Sequence, residues 1–164
     1  MVALYAGSFD PITYGHIDLI KRATQIFDKV VVAVAVNVSK STLFTIEERL
    51  ELVKRAVEGI PKVEVERVDG LVVEYAKRKK IKVLLRGLRM VSDFEYEFQM
   101  AITNRSFNSE IETLFLMPSE DYFYLSSRLI KEIVALGGRV NRFVPDFVEK
   151  AMRDKLKVQI LEEG

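Results

Sequence analysis

Short apolar runs rich in β-branched residues alternate along this chain with stretches of helical periodicity. Residues 2–6 read as a strand. Residues 30–36, Val and Ala throughout, carry no polar side chain, the pattern of a strand buried on both faces at the centre of a parallel sheet. Residues 63–66 alternate like a more peripheral strand, and residues 83–85 and 113–117 supply two more short runs bounded by polar residues. Between these five strands lie helices with legible start signals. Thr45-Ile46-Glu47-Glu48 is a capping box, followed by Ile46, Leu50 and Val53 at helical spacing. Ser92 with Glu95 repeats the device, with Phe94, Phe98, Ala101 and Ile102 as the apolar stripe that should pack behind it. Residues 16–27 and 71–79 complete the crossovers. A further helix starts near Ser127, its expected N-cap, and ends at Gly137-Gly138. Pro145 suits the first turn of a last helix running to about Lys155. Strict alternation predicts right-handed crossovers, hence an α/β fold: a doubly wound, five-stranded parallel sheet with C-terminal helices, in a single domain over residues 1–164.

Composition narrows the chemistry. The 25 Lys and Arg against 24 Asp and Glu leave a net charge of +1, so no global field recruits nucleic acid or an anionic membrane, and any anion site must be local. Absent cysteine excludes disulfides, thiolate nucleophiles and Cys-ligated zinc, and one histidine excludes a His-rich metal site. The longest aliphatic run, residues 30–36, is far short of the roughly 20 residues of a membrane span. The first residues lack the basic region of a signal peptide, so a cytoplasmic location is expected.

An open parallel sheet binds ligands at the carboxyl ends of its strands, where strand order reverses, so the segments after each strand carry the functional reading. The first strand is followed by Gly7-Ser8-Phe9-Asp10-Pro11-Ile12-Thr13-Tyr14-Gly15-His16. Two Gly, a Pro, hydroxyls and the chain's one His converge there on a helix start, where backbone N–H groups and the helix dipole favour a phosphate. The segment matches neither the P-loop nor the dinucleotide glycine pattern, and a tight loop with His16 as a cap explains it equally well. Lys40 is the one charge between the second strand and the next helix, where a solvated lysine is the ordinary reading. Arg86-Gly87-Leu88-Arg89 follows the fourth strand and sets two guanidinium groups where bidentate phosphate recognition would want them, although residues 77–89 as a whole are basic. Glu97 sits beside Phe94 and Phe98 and so could point toward the sheet. The fifth strand leads through Tyr122-Phe123-Tyr124-Leu125 to Ser126-Ser127-Arg128, hydroxyls and a cation at a helix start. Four strand ends thus each offer a phosphate-binding group, and their convergence outweighs any one of them.

Thr13-Tyr14-Gly15-His16 within Gly7-Ser8-Phe9-Asp10-Pro11 resembles the His-x-Gly-His signature of the nucleotidyltransferases, in the Thr-x-Gly-His form of the phosphopantetheine adenylyltransferase family. The resemblance continues through Phe44-Thr45-Ile46-Glu47-Glu48-Arg49, Arg86-Gly87-Leu88-Arg89 with Asp93-Phe94-Glu95-Tyr96-Glu97, and Ser126-Ser127-Arg128-Leu129-Ile130-Lys131-Glu132. It implies transfer of the adenylyl group of ATP to 4′-phosphopantetheine, giving dephospho-coenzyme A and pyrophosphate, with Mg2+ bound through the ATP phosphates. It further implies that His16 and Lys40 are catalytic, that Ser8, Lys40, Val72 and Arg86 bind phosphopantetheine, and that Ser8, Phe9, His16, Gly87, Leu88, Arg89, Glu97, Tyr122, Phe123, Tyr124, Leu125, Ser126, Ser127 and Arg128 hold ATP. A homo-oligomer, typically a hexamer, is implied as well. Arg128 departs from the three consecutive serines of many relatives and could offer charge to the leaving phosphates.

The implied reaction agrees with the residues at hand. A phosphate monoester is already an anionic nucleophile, so in-line attack needs positioning and charge stabilisation rather than a Ser or Cys nucleophile or a catalytic base. Two other readings compete: a nucleotidyltransferase acting on nicotinamide mononucleotide or glycerol 3-phosphate, against which the Arg-Gly-Leu-Arg segment argues, and a non-catalytic nucleotide-binding module.

Overall fold

A computed structural model describes residues 1–36 and 41–158. Five parallel strands, β1 (Val2–Gly7), β2 (Lys29–Ala35), β3 (Val63–Val68), β4 (Val83–Gly87) and β5 (Glu112–Leu116), form one sheet in the order β3-β2-β1-β4-β5. The helices α1 (Tyr14–Ile26), α2 (Ile46–Ala56), α3 (Val72–Arg78) and α4 (Val91–Phe107) make the crossovers, and α5 (Ser127–Ala135) and α6 (Asp146–Leu156) follow β5. This is the doubly wound sheet that the alternation predicts.

Strand periodicity divides the core in two. Ala3 and Tyr5 of β1, Val30, Val32 and Val34 of β2, and Val83 and Leu85 of β4 face α1, α2, α5 and α6. The intervening Leu4 and Ala6, Val31 and Ala33, and Leu84 face α3, with Val73, Tyr75 and Ala76 closing that side. The apolar character of residues 30–36 is thereby explained, because β2 is covered on both faces.

The Thr45–Glu48 box caps α2 as the sequence predicts, Thr45 Oγ1 accepting from Glu48 N and Glu48 Oε2 accepting from Thr45 N. Two local expectations fail. Ser126, not Ser127, caps α5, accepting from Leu129 N. Around α4 the Ser92–Glu95 box does not form, because the helix begins at Val91 and draws Ser92 inside its first turn. The stripe expected to pack behind it turns outward: Phe94, Phe98 and Ile102 are about half exposed, and Glu97 is the one buried residue of the helix. Val91, Tyr96, Met100 and Phe107 are exposed too, so α4 is apolar over most of its circumference and no single periodic face could say which side meets the sheet.

Candidate active site

Strand order reverses between β1 and β4, and a cleft of about 630 Å³ opens over their carboxyl ends. Its walls come from the β1–α1 loop, the segment entering α2, the end of β4, the start of α4 and the N-terminus of α5. Of the residues singled out in the sequence, Ser8, Phe9, His16, Arg86, Gly87, Arg89, Glu97, Tyr122, Leu125, Ser126, Ser127 and Arg128 line it. Leu88 lies beside them with its N–H bonded to Leu116 O. Val72 packs against the α3-side core instead, and Phe123 and Tyr124 are half exposed outside the cleft. Lys40 lies outside the described residues.

His16 occupies the third position of α1 and closes a capping box with Thr13. Its backbone N–H donates to Thr13 Oγ1, and its Nδ1 accepts from the backbone N–H of Thr13 at 3.0 Å. An amide can only donate, so Nδ1 is unprotonated and the proton of the neutral ring sits on Nε2. Cap and phosphate donor are therefore not alternatives, since the cap fixes the tautomer that leaves Nε2–H to donate. Phe9, buried and held at φ +47°, packs its ring edge-on against the imidazole at 5.1 Å. A left-handed conformation is unfavourable for an aromatic residue and persists where surrounding structure holds it, commonly at ligand sites. Burial, reinforced by the Arg89 and Arg86 charges, pushes the His16 pKa down to about 4. At neutral pH it is a neutral hydrogen-bond donor.

Arg86 and Glu97 form a bidentate pair, Nη2 to Oε1 at 2.6 Å and Nε to Oε2 at 2.7 Å, and Arg86 Nη1 also donates to Ala6 O at 2.7 Å. Burial works against the Arg86 charge, but the bonds and charge of Glu97 hold its pKa above the ordinary value. This pair ties α4 to the end of β4. Arg89 donates to Leu125 O at 2.8 Å and lies 3.3 Å from Asp93, joining the β4 end to the approach to α5. Burial pushes the Tyr5 phenol pKa up, so its hydroxyl stays protonated at the cleft floor.

Three polar residues that the sequence did not single out brace the cleft. Arg49, buried in α2, donates through Nη1 to Ser8 O at 2.7 Å and Ala35 O at 3.0 Å, tying the ends of β1 and β2 together. Asp10, also buried, accepts from Leu43 N and Phe44 N, each at 2.9 Å, and from Lys131 Nζ at 2.7 Å. It thus joins the β1–α1 loop to the start of α2 and to α5. Asp10 and Arg49 stand inside the Gly7–His16 and Phe44–Arg49 motifs, but a buried splint leaves no periodic signal in a sequence.

The cytidylyltransferase-like family model matches residues 4–133. A phosphopantetheine adenylyltransferase of Caldanaerobacter subterraneus subsp. tengcongensis is 56% identical over 156 residues, covering 95% of this chain and 98% of the relative. The chain belongs to the phosphopantetheine adenylyltransferase family. Family members from Gloeobacter violaceus, 56% identical over 94% of this chain and 96% of theirs, and Geobacter sulfurreducens, 51% identical over 94% of both, are similar to it over the same extent. Among solved structures, one from Vibrio parahaemolyticus described as a "Putative Nicotinate-nucleotide Adenylyltransferase" shares the fold, with a TM-score of 0.66 at 18% identity over 94% of this chain and 93% of that one.

Proposed function

We propose that the protein transfers the adenylyl group of ATP to 4′-phosphopantetheine, releasing pyrophosphate and forming dephospho-coenzyme A, in the cytoplasm. The observation that carries this reading is the His16 geometry: a neutral imidazole with its Nε2 proton directed by the Thr13 cap, set beside Arg86 and Arg89 in a cleft at the sheet's switch point. An oxygen of the acceptor phosphate attacks the α-phosphorus in line, that bond forms as the α-phosphorus bond to the β-bridging oxygen breaks, and the electron pair leaves with pyrophosphate. No proton need be removed from the nucleophile. Charge accumulating on the transferring group is met by His16 Nε2–H, by the arginines and by the N–H groups of the first turn of α5, donors already in place before the reaction. Lys40 is assigned to the acceptor phosphate by the family motif.

Among the described residues no three Asp, Glu or His side chains converge into a metal site. The donors that line the cleft suit phosphate oxygens rather than a cation, so Mg2+ would be held by the ATP phosphates, where it offsets their charge. The unpartnered apolar surface of α4 supports assembly with further copies of this chain, the family's hexamer being the expected form. Among the described residues no helix is long and apolar enough to cross a membrane.

Pyrophosphate release from Mg-ATP, with 4′-phosphopantetheine, nicotinamide mononucleotide or glycerol 3-phosphate as acceptor and a no-acceptor control, tests the reading. Turnover with phosphopantetheine alone is the expected result. Preference for either other acceptor, or ATP binding without turnover, overturns it.

A further inference from the structure

Four cations border the described cleft, and each faces a carboxylate. They differ in what would happen if a phosphate competed. Arg86 is the sole described hydrogen-bonding partner of the buried Glu97, so releasing it would strand that carboxylate. Arg89 is divided between Asp93 and the Leu125 carbonyl. Arg128, the residue the sequence offered as a charge for the leaving phosphates, has a side chain 89% exposed at the cleft rim and paired with Glu132, one turn further along α5.

Lys131 has spare donors beside a carboxylate that does not depend on it alone. Ser127 and Lys131 are four residues apart and share one face of α5. Ser127 Oγ donates to Pro11 O at 2.8 Å, so that face is turned to the β1–α1 loop and the cleft, and Arg128 and Glu132 lie on the next face round. The Lys131 ammonium, 27% exposed along its side chain, gives one hydrogen bond to Asp10, its one hydrogen-bonding partner among the described residues. An ammonium has three protons, which leaves two to donate. Asp10 meanwhile keeps two backbone N–H bonds whatever Lys131 does, and the Arg49 guanidinium is close enough to act on it electrostatically. Its carboxylate stays satisfied if the ammonium turns part of its bonding to a new anion. Lys131 can thus bind a phosphate without orphaning its partner.

We propose that Lys131 is a phosphate-binding residue of this cleft, donating to the ATP polyphosphate oxygens that depart as pyrophosphate, while Asp10 holds its ammonium in position. This rests on the adenylyl-transfer reading above.

Two measurements test it. In steady-state kinetics, Lys131→Met should lower kcat/KM for Mg-ATP at least about tenfold and leave the KM for the acceptor within about threefold, with Lys131→Arg restoring most of the loss because it keeps the charge and the donors. Lys150→Met, which removes an exposed cation of α6, serves as the control. In the wild-type protein, acetic anhydride labelling followed by mass spectrometry should show Lys131 slowed by Mg-ATP or by pyrophosphate alone, with Lys150 unchanged. ATP kinetics within about threefold of wild type in Lys131→Met, an equal loss for both substrates that Arg does not rescue, or labelling of Lys131 indifferent to both ligands overturns the proposal. Should the Met variant not fold, the wild-type labelling decides alone. Absence of pyrophosphate release by the wild type with every acceptor would remove the transfer reading, and the labelling would still report on phosphate contact by Lys131.

Discussion

Replacing His16 with Gln separates its capping role from its proposed role as a donor to phosphate. Glutamine at the third helical position is a usual partner in a capping box, so its amide oxygen can accept from Thr13 N–H and keep the start of α1 closed. The imidazole Nε2–H is lost. Removing one preorganised donor from a developing oxyanion costs about 3 kcal/mol, or about 10²–10³ in kcat, which is the expected fall in pyrophosphate release under saturating substrates. The structure also makes a thermodynamic prediction for the wild type. The His16 pKa is about 4 in the folded protein against an ordinary 6.5, so between those values the unfolded chain takes up a proton that the folded protein does not. The stabilising contribution is complete above pH 6.5 and is lost as pH falls to 4, a change of about 3 kcal/mol. His16→Gln lacks this component, so the stability gap between the two proteins should shift by that amount in favour of the variant over the same interval and be constant above it. Urea unfolding followed by far-UV circular dichroism at several pH values measures the gap. Because the chain has one histidine, a single imidazole C–H resonance gives the titration directly by NMR. A midpoint near 6.5, or a variant whose kcat stays within about tenfold of wild type, would refute the reasoning.

Three further outcomes are expected. Glu97→Gln should destabilise the fold by about 3 kcal/mol in urea titrations, because Arg86 keeps its charge in a largely enclosed position without its carboxylate. Arg49→Met should cost about 3 kcal/mol in the same assay, since two strand-end carbonyls lose their donor, and Arg49→Lys should cost less because an ammonium can still serve at least one of them. Phe94→Gln with Phe98→Gln should change the folding free energy of the isolated chain by less than about 1 kcal/mol, since both rings are half exposed, yet lower the assembly size in sedimentation velocity.

What could be read ahead of the structure was whatever leaves a period or a spacing. Residues 30–36 announced a doubly covered strand, and the alternation of five short apolar runs with helical stretches announced the winding of the sheet. The convergence of Ser8, His16, Arg86, Arg89 and Ser126 followed from that winding, because strand ends in a parallel sheet share one edge. Facing was harder. Arg128 and Lys131 are within one turn of each other and both border the cleft, but the Ser127–Pro11 bond, a contact across 116 positions of sequence, turns the Lys131 side of the helix toward the β1–α1 loop. The Phe94–Phe98 stripe obeys helical periodicity, but α4 is apolar over most of its circumference and meets the sheet through Glu97, so the same pattern that marks a core helix here marks an outward surface. His16 looked like a choice between cap and ligand because spacing cannot show that Nδ1 accepts at the cap while Nε2 keeps its proton to donate.

The pairing of β1 with β4 also sets the order in which the molecule can be completed during synthesis. Leu4 meets Leu84, and Arg86 reaches back 80 positions to the Ala6 carbonyl. Until the ribosome has released β4, the strand at the middle of the finished sheet has one bare hydrogen-bonding edge, flanked by its most apolar neighbours. The nascent N-terminal half is therefore the form most exposed to wrong association, and the chain acquires its cleft and loses its stickiest edge in a single late event.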